Sequence, residues 1–169
     1  MDEIIINKAI TEDLNSFYDF FQKKLKENFS DEYTPRTIAH FIEKTFTKEA
    51  TSKSIKNCNL FLAKDGKKIV GFLFKLDPQK YGVDYTDWLV VDEDYRGRGI
   101  GSNLLKAWEK DALKKGAHCL MIMTEQRNVD FYKKRGFIYM GRIPKGWAGA
   151  EDIYFYKPIQ EPKEENYLR

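Results

Sequence analysis

The sequence predicts a mixed α/β fold, a β-sheet covered by helices, and three observations carry that expectation. Stretches with apolar residues at helical spacing stand between short β-branched or alternating runs. Asp65-Gly66 joins two of those runs directly, which calls for an antiparallel hairpin. A glycine-rich segment over 95–102 separates an apolar strand from a long amphipathic helix. The order strand, two helices, several strands, glycine loop, helix, strand, helix, two strands is not a series of regular βαβ units and contains no internal repeat. With 169 residues, 42% hydrophobic and 15% aromatic, the chain is long and apolar enough for one domain, expected over 1–158. A tail over 159–169 follows it, and from Glu161 onward it reads as frayed.

Each element has its own signal. Glu3 to Asn7 is a β-branched strand, and Thr11 caps a helix with Leu14, Phe17, Phe20, Phe21 and Leu25 on one face. Thr34 and Pro35 supply an N-cap and a first-turn proline for a second helix with an Ile38, Phe41, Ile42 and Phe46 stripe. Lys48 to Lys56 reads as a polar loop. Asn59 to Lys64 and Lys68 to Leu76 are the hairpin strands, Asp77 to Val83 is a turn-rich connection, and Asp84 to Val91 is one strand. After the glycine loop, Leu104, Leu105, Trp108, Ala112 and Leu113 line a helix that Gly116 stops. Cys119 to Thr124 is a continuous apolar strand. Asn128 begins a short helix through Phe131, Tyr132 and Arg135 that ends at Gly136, and Phe137 to Arg142 and Asp152 to Lys157 are the last strands.

Charge and composition exclude several function classes. The 29 basic and 26 acidic side chains are interspersed and leave a net charge of +3, with no basic stripe for nucleic acid. No apolar run approaches the roughly 18 residues that span a bilayer. The MDEIIINKA start lacks a basic n-region, so a cytoplasmic protein with no membrane partner is expected. Cys58 and Cys119 lack CxxC partners and are expected to be buried small hydrophobes. His40 and His118 have no partner at ligand spacing, so no metal site is expected. Apolar sheet edges are compatible with a homodimer.

The glycine loop carries the chemistry. A helix start offers unpaired N–H groups and the positive end of the helix dipole, and glycines let a phosphate approach that backbone. Arg96 and Arg98 add guanidinium donors and Ser102 a hydroxyl, so a pyrophosphate is the natural guest of Arg96 to Ser102. A dinucleotide-binding fold also uses such a loop. There, however, the loop follows its strand directly, whereas Asp92-Glu93-Asp94-Tyr95 intervene here, the third glycine is missing, and no βαβ chain surrounds the motif.

Leu89 to Ser102 (LVVDEDYRGRGIGS), followed by Leu104-Leu105, resembles the acyl-CoA-binding motif of the GNAT superfamily of N-acetyltransferases, whose core is Arg/Gln-x-x-Gly-x-Gly/Ala. Phe131-Tyr132-Lys133-Lys134-Arg135-Gly136-Phe137 resembles the same superfamily's second signature, Phe-Tyr-x-x-x-Gly-Phe. A weaker likeness extends over about Ile4 to Pro158. The resemblance implies a mixed, mostly antiparallel twisted sheet flanked by helices, with splayed central strands that bind acyl-CoA. It implies acetyl-CoA as co-substrate, with its pyrophosphate on Arg96, Gly97, Arg98, Gly99, Ile100, Gly101 and Ser102. Pantetheine would lie along Leu89, Val90 and Val91, and Asn128 would stand for the family's asparagine contact. The implied reaction is acetyl transfer to a primary amine of a small molecule or protein, with Tyr132 as the acid that protonates the CoA thiolate.

An alkylamine with a pKa near 10.4 is almost wholly protonated at pH 7, so attack needs a base. Asp87, in phase with Leu89 and Val91, is the first candidate, with Asp84 and Glu125 as rivals. The chain departs from the family where Glu125 occupies the usual asparagine position, and where Leu120 falls near the glutamate of peptide N-terminal acetylating relatives. Tyr33, Tyr81, Trp147, Tyr154 and Tyr156 could form an aromatic wall for a cationic amine, with Glu151 and Asp152 attracting it. The alternative is a non-catalytic acyl-CoA-binding or regulatory module on the same fold.

Overall fold

Two four-stranded sheets meet along one stretch of chain, and the seam between them positions the site. The computed structural model describes residues 3–75, 80–86 and 88–168. In chain order the elements are β1 (Ile5–Lys8), α1 (Leu14–Asn28), α2 (Pro35–His40), α3 (Lys48–Lys56), β2 (Leu60–Asp65), β3 (Lys68–Phe74), β4 (Val83–Thr86) and β5 (Trp88–Val91). These are followed by α4 (Ile100–Lys114), β6 (Cys119–Thr124), α5 (Val129–Lys133), β7 (Ile138–Ile143), β8 (Asp152–Pro158) and α6 (Glu164–Tyr167). The first sheet has the order β1-β2-β3-β5 and is antiparallel throughout. The second has the order β4-β6-β8-β7, and there only β4 and β6 run parallel.

The single strand expected over 84–91 is divided between these sheets. β4 pairs with β6 as far as Thr86 opposite Ile122, whereas β5 pairs with β3 from Trp88 opposite Phe74 to Val91 opposite Gly71. Alternation is identical in both halves, so nothing local marks the change of partner. Asp87 lies outside the described residues, as do Leu76 to Gln79 at the end of the expected hairpin strand and the start of the turn after it.

α1 turns Phe17, Phe21 and Leu25 onto the first sheet, where they join Phe72, Phe74 and Trp88 in one core. Phe17 meets Phe72 edge-on at 5.2 Å and Phe21 meets Trp88 at 5.6 Å. Such pairs contribute about 0.5–1.5 kcal/mol beyond the area they bury. On the other side α4 places Leu104, Leu105, Trp108 and Ala112 in a core with Phe61, Val70 and Leu73 of the first sheet and Ile122 and Phe155 of the second. One helix therefore covers both sheets and holds the seam.

Several local expectations are corrected. Lys48 to Lys56 is a helix, not a polar loop. Thr47 Oγ1 caps it by accepting from the Ala50 N–H at 3.2 Å, and its buried face rests on Thr51 and Ile55, one turn apart. Two residues are too few for periodicity to reveal. Leu113 is exposed, because the buried stripe of α4 passes through Ala112 and a neighbouring residue lies about 100° around the helix. Cys58 takes φ +56° in the turn after α3 and is exposed, and Cys119 is only half-buried. The tail forms α6 instead of fraying, with Asn166 against Gly116 and the Tyr167 ring 5.5 Å from that of His118. Ile138, Tyr139, Met140 and Ile143 stand exposed on the outer strand β7. Among the described residues, no helix is long and apolar enough to cross a membrane, and no group of three or more His, Cys, Asp or Glu could hold a metal ion.

Candidate active site

Beyond the Thr86 and Ile122 pair, β5 and β6 belong to different sheets and have no ladder between them. The gap opens into a cleft of about 660 Å³, with Leu89, Val90 and Val91 on one wall and Met123, Thr124 and Glu125 on the other. Strand-edge N–H and C=O groups outside a ladder need other partners. An extended, amide-bearing ligand lying along β5 meets that need in the manner of an added strand. Leu89 and Val91 are half-buried and Val90 is buried, as expected for a strand with one face on a cleft.

At one end of the cleft stands the start of α4. Gly99 is its N-cap at φ +78°, a left-handed conformation that favours glycine. Gly101, in the first turn of α4, lies so close to Phe131 that a Cβ would meet the ring at 3.1 Å. The first-turn N–H groups of a helix have no partner within it and carry the positive end of the dipole. Arg96, Gly97, Gly99, Ile100, Gly101 and Ser102 all line this end. Arg98 does not, because its guanidinium turns back onto the Tyr95 ring at 4.7 Å and donates to the Asp94 carbonyl at 2.8 Å. Arg135 lines this end instead. Its Nη2 and Nε donate to Ser102 Oγ at 2.6 and 2.9 Å, its Nη1 donates to the Phe131 carbonyl at 2.6 Å, and it lies 3.6 Å over the Phe131 ring.

Midway along the cleft is Tyr132, brought there by α5 and only 5% exposed. Its ring meets Phe131 and Phe137 edge-on, and its hydroxyl is hydrogen-bonded with the Thr124 side chain. Burial, and secondarily the charge of Glu125, pushes its pKa up, so the phenol stays protonated across the working pH range. Asn128 lines the cleft and makes no side-chain cap for α5; its Nδ2 donates to Glu125 Oε2 at 3.0 Å.

The far end is acidic and aromatic. Phe29 from the end of α1, Tyr33 from the following loop, Trp88 from β5 and Trp147 from the β7–β8 loop form its walls. Trp147 stacks on Phe41 at 4.5 Å and meets Tyr33 edge-on at 5.9 Å. Glu125, Glu151 and Asp152 line the same end. Asp152 also organises the loop, accepting from the Trp147 N–H at 2.7 Å. Arg127 answers part of this charge, with its Nε 2.9 Å from Glu125 Oε2 and its Nη2 3.2 Å from Glu32 Oε1. Burial, and after it the charge of Glu125, pushes the Glu32 carboxyl up to about 7 against the opposing pull of Arg127.

The structure thus brings Leu89, Val90, Val91, most of the glycine loop, Asn128 and Tyr132 to one cleft. It removes Asp84 from the list of bases, since that carboxylate is wholly buried, 2.7 Å from Lys75 Nζ and 3.2 Å from Trp108 Nε1. Asp87 lies outside the described residues. Of the expected aromatic wall only Tyr33 and Trp147 line the cleft; Tyr81 is exposed elsewhere, and Tyr154 and Tyr156 are half-buried on β8. Sequence reasoning missed Arg127, Glu32 and Phe29, whose convergence is long-range. Arg135 stands in the second signature, but its approach to Ser102 is equally long-range.

Comparison with known proteins places this geometry. The sequence matches the acetyltransferase (GNAT) family over residues 14–137, well over half of the chain. Among solved structures, a PaiA N-acetyltransferase from Thermoplasma acidophilum in complex with coenzyme A is similar at a TM-score of 0.76 and 22% identity, covering 93% of this chain and 99% of its own. A GNAT-family acetyltransferase from Streptococcus pneumoniae gives 0.74 and 22%, with 93% and 99% covered. An aminoglycoside 6'-N-acetyltransferase complexed with coenzyme A gives 0.70 and 18%, with 94% and 99% covered. At these identities the structural likeness carries the fold, and the sequence match carries the membership. That match makes the protein an acyltransferase, and the chain belongs to the acetyltransferase (GNAT) family.

Proposed function

We propose that the protein transfers the acetyl group of acetyl-CoA to a primary amine, of a small molecule or a protein, by direct attack of the amine on the thioester. The observation that carries this reading is that one cleft joins three chemistries in sequence: an anion site, an unpaired strand edge with a buried tyrosine, and an acidic aromatic end. Arg96, the loop glycines, Ser102 and Arg135 hold the pyrophosphate. Leu89, Val90 and Val91 hold pantetheine through their backbone, and an N–H near Val91 stabilises the oxyanion of the tetrahedral intermediate. Tyr132 protonates the departing thiolate. The coenzyme A in the complexes from T. acidophilum and of the aminoglycoside enzyme supports acetyl-CoA as donor. Carboxylates and aromatic faces at the far end favour a cationic acceptor over a neutral or anionic one.

The test is thiol release from acetyl-CoA against a panel of polyamines, aminoglycosides, amino acids, and lysine and N-terminal peptides. At least one amine is expected to give saturable release. Tight coenzyme A binding by calorimetry, with no amine consuming acetyl-CoA, overturns the transferase reading in favour of an acyl-CoA-binding regulator.

A further inference from the structure

Three acids, Asp92, Glu93 and Asp94, stand directly before the loop whose proposed guest is a pyrophosphate, and their charge opposes that guest unless it is met. Glu93 and Asp94 are exposed, where water screens them. Asp92 is only 7% exposed and lies between Val91, on the cleft wall, and the turn Glu93–Tyr95 that leads to Arg96. Both of its carboxylate oxygens are engaged. Oδ1 accepts from the Asp94 N–H at 3.2 Å and so fixes that turn, while Oδ2 lies 3.1 Å from Nζ of Lys24 on α1. Burial works against the ionised carboxyl, but Lys24 and the Asp94 N–H hold its pKa below the ordinary value, so the charge is present.

Lys24 is itself only 3% exposed, at the margin of the Phe17, Phe21 and Leu25 stripe and 5.7 Å over the Phe20 ring. A buried ammonium costs free energy unless it is paired, and an apolar residue would fill the same place. Its second partner, Glu27 at 2.7 Å, stands on the same helix and is partly exposed, so that pair could form in solvent. Asp92 is the partner that requires the ammonium inside.

We propose that Lys24 is a positioning residue for acyl-CoA: by holding the Asp92 carboxylate it offsets that charge beside the pyrophosphate and fixes the turn that presents Arg96. The inference rests on the placement of the pyrophosphate at the glycine loop and is independent of the acceptor. Lys24 is not among the residues that line the cleft, so it acts through Asp92. The same turn is anchored a second time from the β2–β3 hairpin. There the Tyr95 O–H donates to Asp65 Oδ2 at 2.9 Å, and Lys68 Nζ stands 4.8 Å over the Tyr95 ring. The approach to the loop is thus gripped by α1 and by the hairpin, and Arg96 leaves from a fixed point.

The test is calorimetric binding of coenzyme A to the full chain, with thermal unfolding run on every variant to show that it is folded. Lys24→Met keeps an apolar stem beside Phe20 and removes the charge, and is expected to weaken binding about tenfold or more. Lys24→Gln keeps a donor for Asp92 without the charge. It is expected to weaken binding about threefold or more, and it carries the comparison if the methionine variant does not fold. The double variant Lys24→Met/Asp92→Asn is expected to return to within about threefold of wild type, because no charge is left unmet and an amide oxygen at 92 still accepts from the Asp94 N–H. Glu27→Gln is expected to stay within about twofold of wild type, since Lys24 keeps Asp92. With an amine that turns over, the loss in Lys24→Met should appear in the KM for acetyl-CoA, with kcat within about twofold.

Binding within about twofold of wild type in the folded Lys24 variants overturns the inference. So does a double variant as weak as the single one, or a Glu27→Gln loss equal to that of Lys24→Met, which would trace the effect to the stability of α1. Arg96→Gln reads the pyrophosphate placement separately. If it too binds coenzyme A like wild type, the placement falls together with the inference. If it binds weakly while the Lys24 variants do not, only the role of Lys24 falls.

Discussion

Tyr132 is buried by aromatic neighbours and carries its hydroxyl to the cleft, so its packing and its chemistry are separable. Phenylalanine fills the same space without the proton donor. Tyr132→Phe is expected to lower kcat about 10²-fold while the KM for acetyl-CoA stays within about twofold, measured by steady-state thiol release. A kcat within about threefold of wild type removes Tyr132 as the acid. Its raised pKa gives a second expectation in the same assay: no loss of rate assignable to the phenol up to about pH 10. Tyr132 and the glycine loop were legible in the sequence because each sits in a contiguous signature. The partnership of Glu32, Glu125 and Arg127 was not, since Glu32 approaches the other two only through the packing of α1 on the sheet.

At the scale of elements, the proposed pyrophosphate site draws on the start of α4 and the turn after α5. α4 supplies the N–H groups of its first turn, and the turn after α5 supplies Arg135, whose guanidinium is fixed by Ser102 Oγ and the Phe131 ring. Replacing Arg135 by Met keeps much of the contact over the ring and removes the charge. A charge-assisted hydrogen bond contributes about 1.5–3 kcal/mol, so Arg135→Met is expected to weaken coenzyme A binding about tenfold or more. Calorimetry at two ionic strengths checks this, and the difference from wild type should narrow in high salt. The same scale explains the misreading of α3. A short helix whose buried face is Thr51 and Ile55 has almost no periodic signal, and its capping Thr47 is equally at home in a loop.

At the scale of the molecule, the two sheets are tied across their seam by the buried pair of Lys75, just after β3, and Asp84 in β4, with Trp108 of α4 donating to the same carboxylate. Removing one partner leaves the other charge buried and uncompensated, which costs about 3–5 kcal/mol. Asp84→Asn is expected to lose stability of that order in urea unfolding, and the double variant Lys75→Met/Asp84→Leu to lose clearly less. Equal losses would mean that the pair adds nothing beyond the volume it fills.

The chain's own order of residues determined the hairpin at Asp65-Gly66, the amphipathic faces of α1 and α4, the glycine turn that opens α4 at Gly99 to Ser102 and the short helix that carries Tyr132, because each rests on contacts within a few residues or on one helical period. Only the tertiary structure decided that the strand expected over 84–91 changes its partner between Thr86 and Trp88, that Arg98 turns away while Arg135 reaches Ser102, that Asp84 is locked in an ion pair, and that Arg127 joins Glu32 to Glu125. Those outcomes depend on which distant segment a strand edge or a charge meets. Alternation and local charge are the same whichever partner is found, so the choice is made by packing.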